Sequence, residues 1–304
     1  MKYNIFEVIK LDKLKIVIQY LLPKHLLTKL FGWIATQQGG WITRLAILIF
    51  IRIYNIKMYE AQQQDISTYL TFNDFFTRSL KNNSRPIDHD PSLLVFPADG
   101  KILQFGQIKS GYLLQAKEHY YTLETLLARK DSITEIFNQG HFITTYISPG
   151  DYHRIHMPCN GILKEMVYIP GELFSVNPIT TINIPNIFAK NERVICIFDT
   201  NFGIMAQILI GAIIVGGIET IWQGNITPPH GENIKFWTYS QKNATDAVIL
   251  LKGQEMGKFH LGSTVINVFE NNKIQFNNHI HINYTAKVGQ YLAKGIQIKK
   301  HFLL

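Results

Sequence analysis

The chain has 304 residues, 46% hydrophobic and 17% charged, a balance that suits a folded protein, excludes disorder and allows one large domain or two ordinary ones. Two cysteines, Cys159 and Cys196, exclude a disulfide framework and suit reduced thiols in a cytosolic setting. Of the net charge of +8, +6 falls in residues 1–60, where nine Lys/Arg stand against Glu7, Asp12 and Glu60, so the basic excess is N-terminal.

That segment mixes its lysines with large apolar side chains at roughly helical intervals, in "LKIVIQYLLPKHLLTKLFGWI" and again in "WITRLAILIFIRIYNIKMY". The longest uncharged apolar run, Leu45–Ile51, lies between Arg44 and Arg52 and is too short to span a bilayer, which takes about 20 residues. Charges interrupt the pattern expected of a signal peptide. A basic helix with Trp, Phe and Leu on its other face suits an anionic membrane surface. Packing on its own domain with lysines in water is the competing reading. Nucleic acid is disfavoured, because long aliphatics interleave the charges and no nucleic-acid-binding motif is present.

Residues 61–90 read as a connecting region, with a short helix starting near Asn73 or Asp74 and an extended stretch before Pro86 and Pro91. Beyond it the texture is strand-like. "LLVFPADGKILQFGQI", "GHFITTYISP", "GILKEMVYIPGELF", "RVICIFDTNFGIMAQILIGAIIVGGIE" and "STVINVFE" are β-rich runs punctuated by Asp-Gly, Asn-Gly and Pro-Gly. Helices are expected at "YTLETLLAR" and at "DSITEIFNQG", the latter ended by Gly140. The apolar run Ile204–Ile218 is expected to form two buried strands. The fold class is therefore α+β, a mainly antiparallel β catalytic domain over 61–304 behind a basic amphipathic helical segment over 1–60.

Four stretches hold candidate chemistry. "YISPGDYHRIHMPCNG" places His153 and His156 three apart, near Asp151 and Cys159. No third and fourth ligand follows at a zinc-like spacing, so the metal expectation is none, and a general base or an ordinary turn remains. "FPADGKI" sets Asp99 in an Asp-Gly turn, a common pair that by itself implies no function. "NITPPHGE", with His230, reads as a rigid connector. In "KFHLGSTVINVFE" a glycine, Gly262, interrupts a strand pattern just before Ser263, which marks a bend or a place of close approach. Asp99, His156 and Ser263 are the types that make an orienter, a base and a nucleophile, and the Gly-x-Ser-x-Gly elbow of α/β-hydrolases is absent.

Taken together, "FPADG", "YHRIHMPCNG" and "LGST", with "FNDFFTRSLKNNSRPI", "GELFSVNP", "NERVICIFDT", "NITPP" and "KGQEMGKFHLGSTVI", resemble the phosphatidylserine decarboxylases of the bacterial type, from the N-terminal segment to at least Phe269. The resemblance implies an inactive single chain that cuts itself at Gly262–Ser263 into a β chain, 1–262, and an α chain, 263–304. It implies that Ser263 becomes a covalent pyruvoyl cofactor, that His156 takes the serine proton with Asp99 orienting it, and that His153 assists decarboxylation or reprotonation. A Schiff base between the pyruvoyl and the substrate amine would then lead from phosphatidylserine to phosphatidylethanolamine and carbon dioxide. The implied location is peripheral, on the cytoplasmic side of the cell membrane, with a homodimer of processed protomers as the assembly.

Three rivals differ in what they require. A non-enzymatic membrane protein would leave Ser263 unprocessed, although every proposed reacting group is present. A serine hydrolase acting on an external ester would keep the chain intact. A pyruvoyl decarboxylase of a soluble amino acid would not need residues 1–60.

Overall fold

A computed structural model describes residues 5–116, 118–214, 217–227, 231–240, 246–260 and 263–296, over 5–12 by backbone alone. Gly262, the Pro-Pro connector with His230, and the chain ends therefore lie outside the described residues. The basic N-terminal pattern forms three helices, α1 (Ile5–Leu21), α2 (Lys24–Ala35) and α3 (Trp41–Tyr54). Pro23 separates the first two, as proline does at a helix start, and Gly39-Gly40 separates α2 from α3. The inner side docks on the β domain. Lys24 is buried, pairs with Glu172 at 3.0 Å and lies over the Phe174 ring, while Thr28 Oγ1 accepts from the Ile214 amide. The outer side leaves Leu26, Trp33, Trp41, Ile42 and Ile53 exposed, beside exposed Lys29, Arg44 and Arg52.

The region read as a connector carries more structure than its sequence suggests. Helix α4 (Phe72–Phe76) is closed at its start by a capping box between Thr71 and Asp74, and begins within two residues of the expected start near Asn73 or Asp74. Its Phe75 packs with Tyr69, Ile47 and Ile56 in a small core that joins α3 to the rest.

The large sheet runs, in spatial order, Lys235–Thr238, Gly161–Ile169, Arg193–Thr200, Gly203–Ile210, Ser263–Phe269, His141–Ile147, Gly100–Gln107 and Thr285–Ala286, every pair antiparallel. Strand Ser263–Phe269 sits inside this order with every residue buried, as its β-branched content fits. A smaller sheet runs Gly224–Thr227, Ile218–Thr220, Glu255–Phe259, Arg154–His156. The expected helices are α5 (Leu123–Leu127) and α6 (Ser132–Phe137), the second capped by Asp131. The run Ile204–Ile218 differs from expectation. It gives one strand of the large sheet and only the first residue of a strand in the small one, because Gly211 and the residues after it carry the chain between sheets. Cys159 and Cys196 are buried and unpaired.

Gly100 shows how tightly the sheet closes beside Asp99. A Cβ there would collide with the Tyr146 carbonyl oxygen. Gly100→Ala should lower stability by about 1–3 kcal/mol, read as a lower Tm in thermal unfolding, since relief requires moving one strand off its neighbour.

Candidate active site

Ser263 is the first residue of its strand and stands opposite Ile147, and Thr264 after it pairs with Tyr146 on one side and Ile210 on the other. The serine is fully buried, and its Oγ has no hydrogen-bond partner among the described residues. The chain reaches it by leaving the small sheet. Glu255–Phe259 pairs with the histidine strand, Glu255 opposite His156 and Lys258 opposite Arg154, with a register shift between Glu255 and Gly257. His260 is then pinned by its ring to Asn73 at 2.9 Å and to Glu219 at 3.1 Å. The junction ahead of Ser263 is thus the crossing between the two sheets.

Both histidines follow the turn after Ile147, where the Ser148 amide donates to Asp151 Oδ2: His153 just before the strand Arg154–His156 and His156 at its end. His153 Nδ1 donates to the Asp151 carbonyl at 2.8 Å, and its ring lies 4.0 Å from that of Phe76. His156 Nδ1 donates to the Gly253 carbonyl at 2.8 Å, and its Nε2 stands 3.2 Å from the Tyr152 hydroxyl. A nitrogen facing a carbonyl carries the proton, so each neutral ring keeps its lone pair on Nε2. That of His153 is buried without a partner among the described residues. Gln207 Nε2 donates to the His156 carbonyl, and Gln207 stands opposite Asn267. Residues 263, 265 and 267 share one face of the sheet, so this bond ties His156 over the face that carries Ser263.

Asp99 is fully buried and held by cations. Arg85 Nε lies 2.9 and 3.0 Å from its two oxygens, Arg85 Nη2 lies 2.5 Å from Oδ2, Lys287 Nζ donates at 2.9 Å, and the Val288 amide donates at 2.9 Å. Arg85 also reaches Glu60 at 2.8 Å. The direct Asp99–His156 hydrogen bond expected of a triad is not the arrangement found. The carboxylate is saturated by Arg85, Lys287 and Val288, and His156 Nδ1 is taken by Gly253. Pro97 brings the two segments together instead, its carbonyl accepting from the His156 amide at 2.8 Å.

The electrostatics follow from burial. Burial alone would raise the Asp99 carboxyl, but Arg85, Lys287 and the Val288 amide outweigh it and hold it below the usual range. Burial lowers His156, opposed by the Gly253 carbonyl and by Glu255 and Asp99. Burial, with the charge of Arg78, pushes His153 down to about 3. Asp151 is pushed up, first by burial. The described site therefore offers two neutral imidazoles beside one locked anion.

Sequence reasoning named Asp99, His153, His156 and Ser263 but missed Arg85, Lys287, Tyr152, Gln207 and Gly253. Tyr152 lies inside the histidine stretch and was within reach of inspection. Arg85 was hidden in the apparent connector, and nothing near Lys287 marks it.

The family profile described as Phosphatidylserine decarboxylase matches residues 72–294, and a second, described as PSD, matches residues 14–55. Among curated proteins, the phosphatidylserine decarboxylase proenzyme of Sodalis glossinidius is 58% identical over 94% of this chain and 97% of its own. The proteins of the same name from Escherichia coli O45:K1 and Yersinia pestis are 55% and 54% identical, over 93% and 94% of this chain and 88% and 98% of theirs.

The buried state of His153 has a measurable consequence. Its ordinary value is 6.5 and its folded value about 3, so between them the unfolded chain binds the extra proton. This contribution to stability is present above 6.5 and is lost as pH falls toward 3. His153→Gln should flatten the fall seen in urea unfolding from about pH 7 to pH 4, by up to ~1.4 kcal/mol per pH unit. Equal slopes in the two proteins would contradict a neutral, buried His153.

Proposed function

The chain belongs to the phosphatidylserine decarboxylase family, and from that premise we propose that it makes its own catalytic group from Ser263 and uses it to convert phosphatidylserine into phosphatidylethanolamine and carbon dioxide. Decarboxylase activity comes with the family. The relatives' name of proenzyme supports a precursor cut into two chains, here 1–262 and 263–304. The observation that carries the reading is the buried Ser263 hydroxyl, without a partner among the described residues, at the point where the chain crosses from the histidine sheet into the large sheet.

His156 Nε2 takes the Oγ proton, with Tyr152 beside it as the neighbouring hydroxyl. Oγ adds to the carbonyl carbon of Gly262, the C–N bond breaks, and the amide becomes an ester with a free amine on residue 263. Loss of the Cα proton expels the Gly262 carboxylate and leaves dehydroalanine. Water adds to it, ammonia leaves, and a pyruvoyl group remains. Asp99 acts on the imidazolium through its field, kept ionised by Arg85 and Lys287. The residues fit this group, since Ser263 is its source and the strand behind it is bonded on both sides. The pyruvoyl supplies a ketone for the substrate amine and an electron sink when carbon dioxide leaves. His153, neutral and with Nε2 unpartnered among the described residues, holds or delivers the proton for the carbon that loses carbon dioxide.

Peripheral association with the cytoplasmic face of the cell membrane is supported by the outer side of α2 and α3, where Trp33 and Trp41 are 63% and 72% exposed beside basic side chains. Among the described residues no helix is long and apolar enough to cross a membrane. A homodimer of processed protomers completes the reading on the resemblance alone.

Denaturing intact-mass measurement tests the chemistry. The wild type should give two species meeting at 262/263 whose summed mass is that of the chain plus water minus ammonia. Ser263→Ala should stay as one inactive chain, and Asp99→Asn and His156→Ala should fail to cut. His153→Ala should cut yet decarboxylate slowly. A folded wild type that remains one chain would sink the mechanism. For the surface, Trp33→Glu with Trp41→Glu should reduce co-sedimentation with vesicles containing phosphatidylglycerol, and undiminished binding would remove α2 and α3 from the interface.

A further inference from the structure

A cavity of about 150 Å³ lies between the end of α3 and the turn that carries the histidines. One wall is Tyr54 to Lys57, and the other is Ser148, Gly150, Asp151 and Tyr152. The walls are pressed together at Gly150, where a Cβ would stand 3.0 Å from Tyr54 Cβ and 3.1 Å from the Tyr54 carbonyl oxygen. The cavity is several times the ~30 Å³ share of one water in the liquid, enough for a phosphate group and its first waters.

Its charges are unequal in their commitments. Lys57, Arg78, Arg85 and Lys287 face Glu60, Asp99 and Asp151. Arg85 is spent on Asp99 and Glu60, and Lys287 on Asp99. Arg78 remains. It is 6% exposed, reaches only the Gly150 carbonyl with Nη2 at 3.4 Å, and lies over the Phe75 ring. Its Nε and Nη1 are buried without a partner among the described residues. A buried guanidinium with idle donors is costly, and an oxyanion relieves it through the planar fork that matches phosphate. Lys57, exposed on the α3 side, adds a second cation.

We propose that this cavity seats a phosphate group, with Arg78 and Lys57 as its binding side chains, and that in the reaction it holds the headgroup phosphodiester of the lipid. The assignment to the lipid rests on the proposed function above. Three placements support it. Ser148 directly follows Ile147, the residue opposite Ser263. The far wall begins where α3, with its exposed apolar side, ends. Amine and phosphate in the headgroup are only a few bonds apart, so a phosphate seat must adjoin the reacting serine. The carboxylate is the poorer occupant, because two cations on the group that leaves as carbon dioxide would stabilise the ground state.

The experiment measures decarboxylation of phosphatidylserine in detergent micelles by Lys57→Gln and Arg78→Lys. Each should raise KM by about tenfold or more, the loss expected for one charge-assisted hydrogen bond, with a smaller change in kcat. In parallel, glycerophosphoethanolamine and inorganic phosphate are titrated into the Ser263→Ala protein, which needs no processing, so a failed mechanism does not hide a real seat. Tighter binding of the glycerophosphodiester than of inorganic phosphate, weakened by Lys57→Gln, supports the lipid assignment. Equal binding of both overturns that assignment in favour of free phosphate. An unchanged KM with no phosphate binding overturns the seat itself. Should Arg78→Lys fail to fold, the exposed Lys57→Gln carries the test alone.

Discussion

A carboxylate with no exposure stays ionised only if cations and donors replace the water it has lost, and Asp99 is held that way by two other parts of the chain. Arg85 comes from the stretch after α4, Lys287 and the Val288 amide from the C-terminal segment, and Arg85 in turn holds Glu60 beyond the N-terminal helices. Removing one partner of such a cluster leaves an uncompensated buried charge, which costs about 3–5 kcal/mol. In the proposed processed enzyme this cluster would also bond the two chains, since Arg85 and Asp99 precede residue 262 and Lys287 follows it. The same ions that keep Asp99 charged would keep the α chain in place.

The crossing between sheets imposes the second constraint. Residues 255–259 are bonded to the histidine strand, and residues 263–269 are bonded on both sides in the large sheet. His260, the last described residue before Ser263, is itself tied to Asn73 and Glu219. In the proposed processing, the bond cut there would separate two anchored ends. Neither end need leave the site, which is what a chain that keeps its new N-terminus as a reactive group requires.

Legibility in the sequence followed locality. The strand from Ser263 to Phe269 and the helical texture of residues 13–54 were readable, because β-branched runs and basic-aliphatic spacing are local signals. Residue type alone makes Asp99 a candidate orienter, and only the family resemblance gives it a role. Its turn is ordinary, and what makes it exceptional is Arg85, 14 residues away, and Lys287, 188 away. The hydrogen bond expected between Asp99 and His156 is absent from the arrangement for the same reason, since the cations that displace it are invisible to spacing. Within residues 61–90 the short helix is legible, because Thr71 and Asp74 form a capping signal, but the burial of its Phe75 and Phe76 against distant parts of the chain is not.

The N-terminal helices are mechanically part of the site. Tyr54 at the end of α3 packs against Gly150 so closely that no larger residue fits without movement. The next residue, Asp151, supplies the carbonyl that fixes the His153 tautomer. Phe76, from the helix that shares a small core with α3, lies on the other side of the same ring. A displacement of α3 therefore bears on His153 from two directions, through its hydrogen bond and through its packing. Whatever surface engages the exposed side of α2 and α3 thus acts two contacts away from an imidazole whose lone pair has no partner among the described residues.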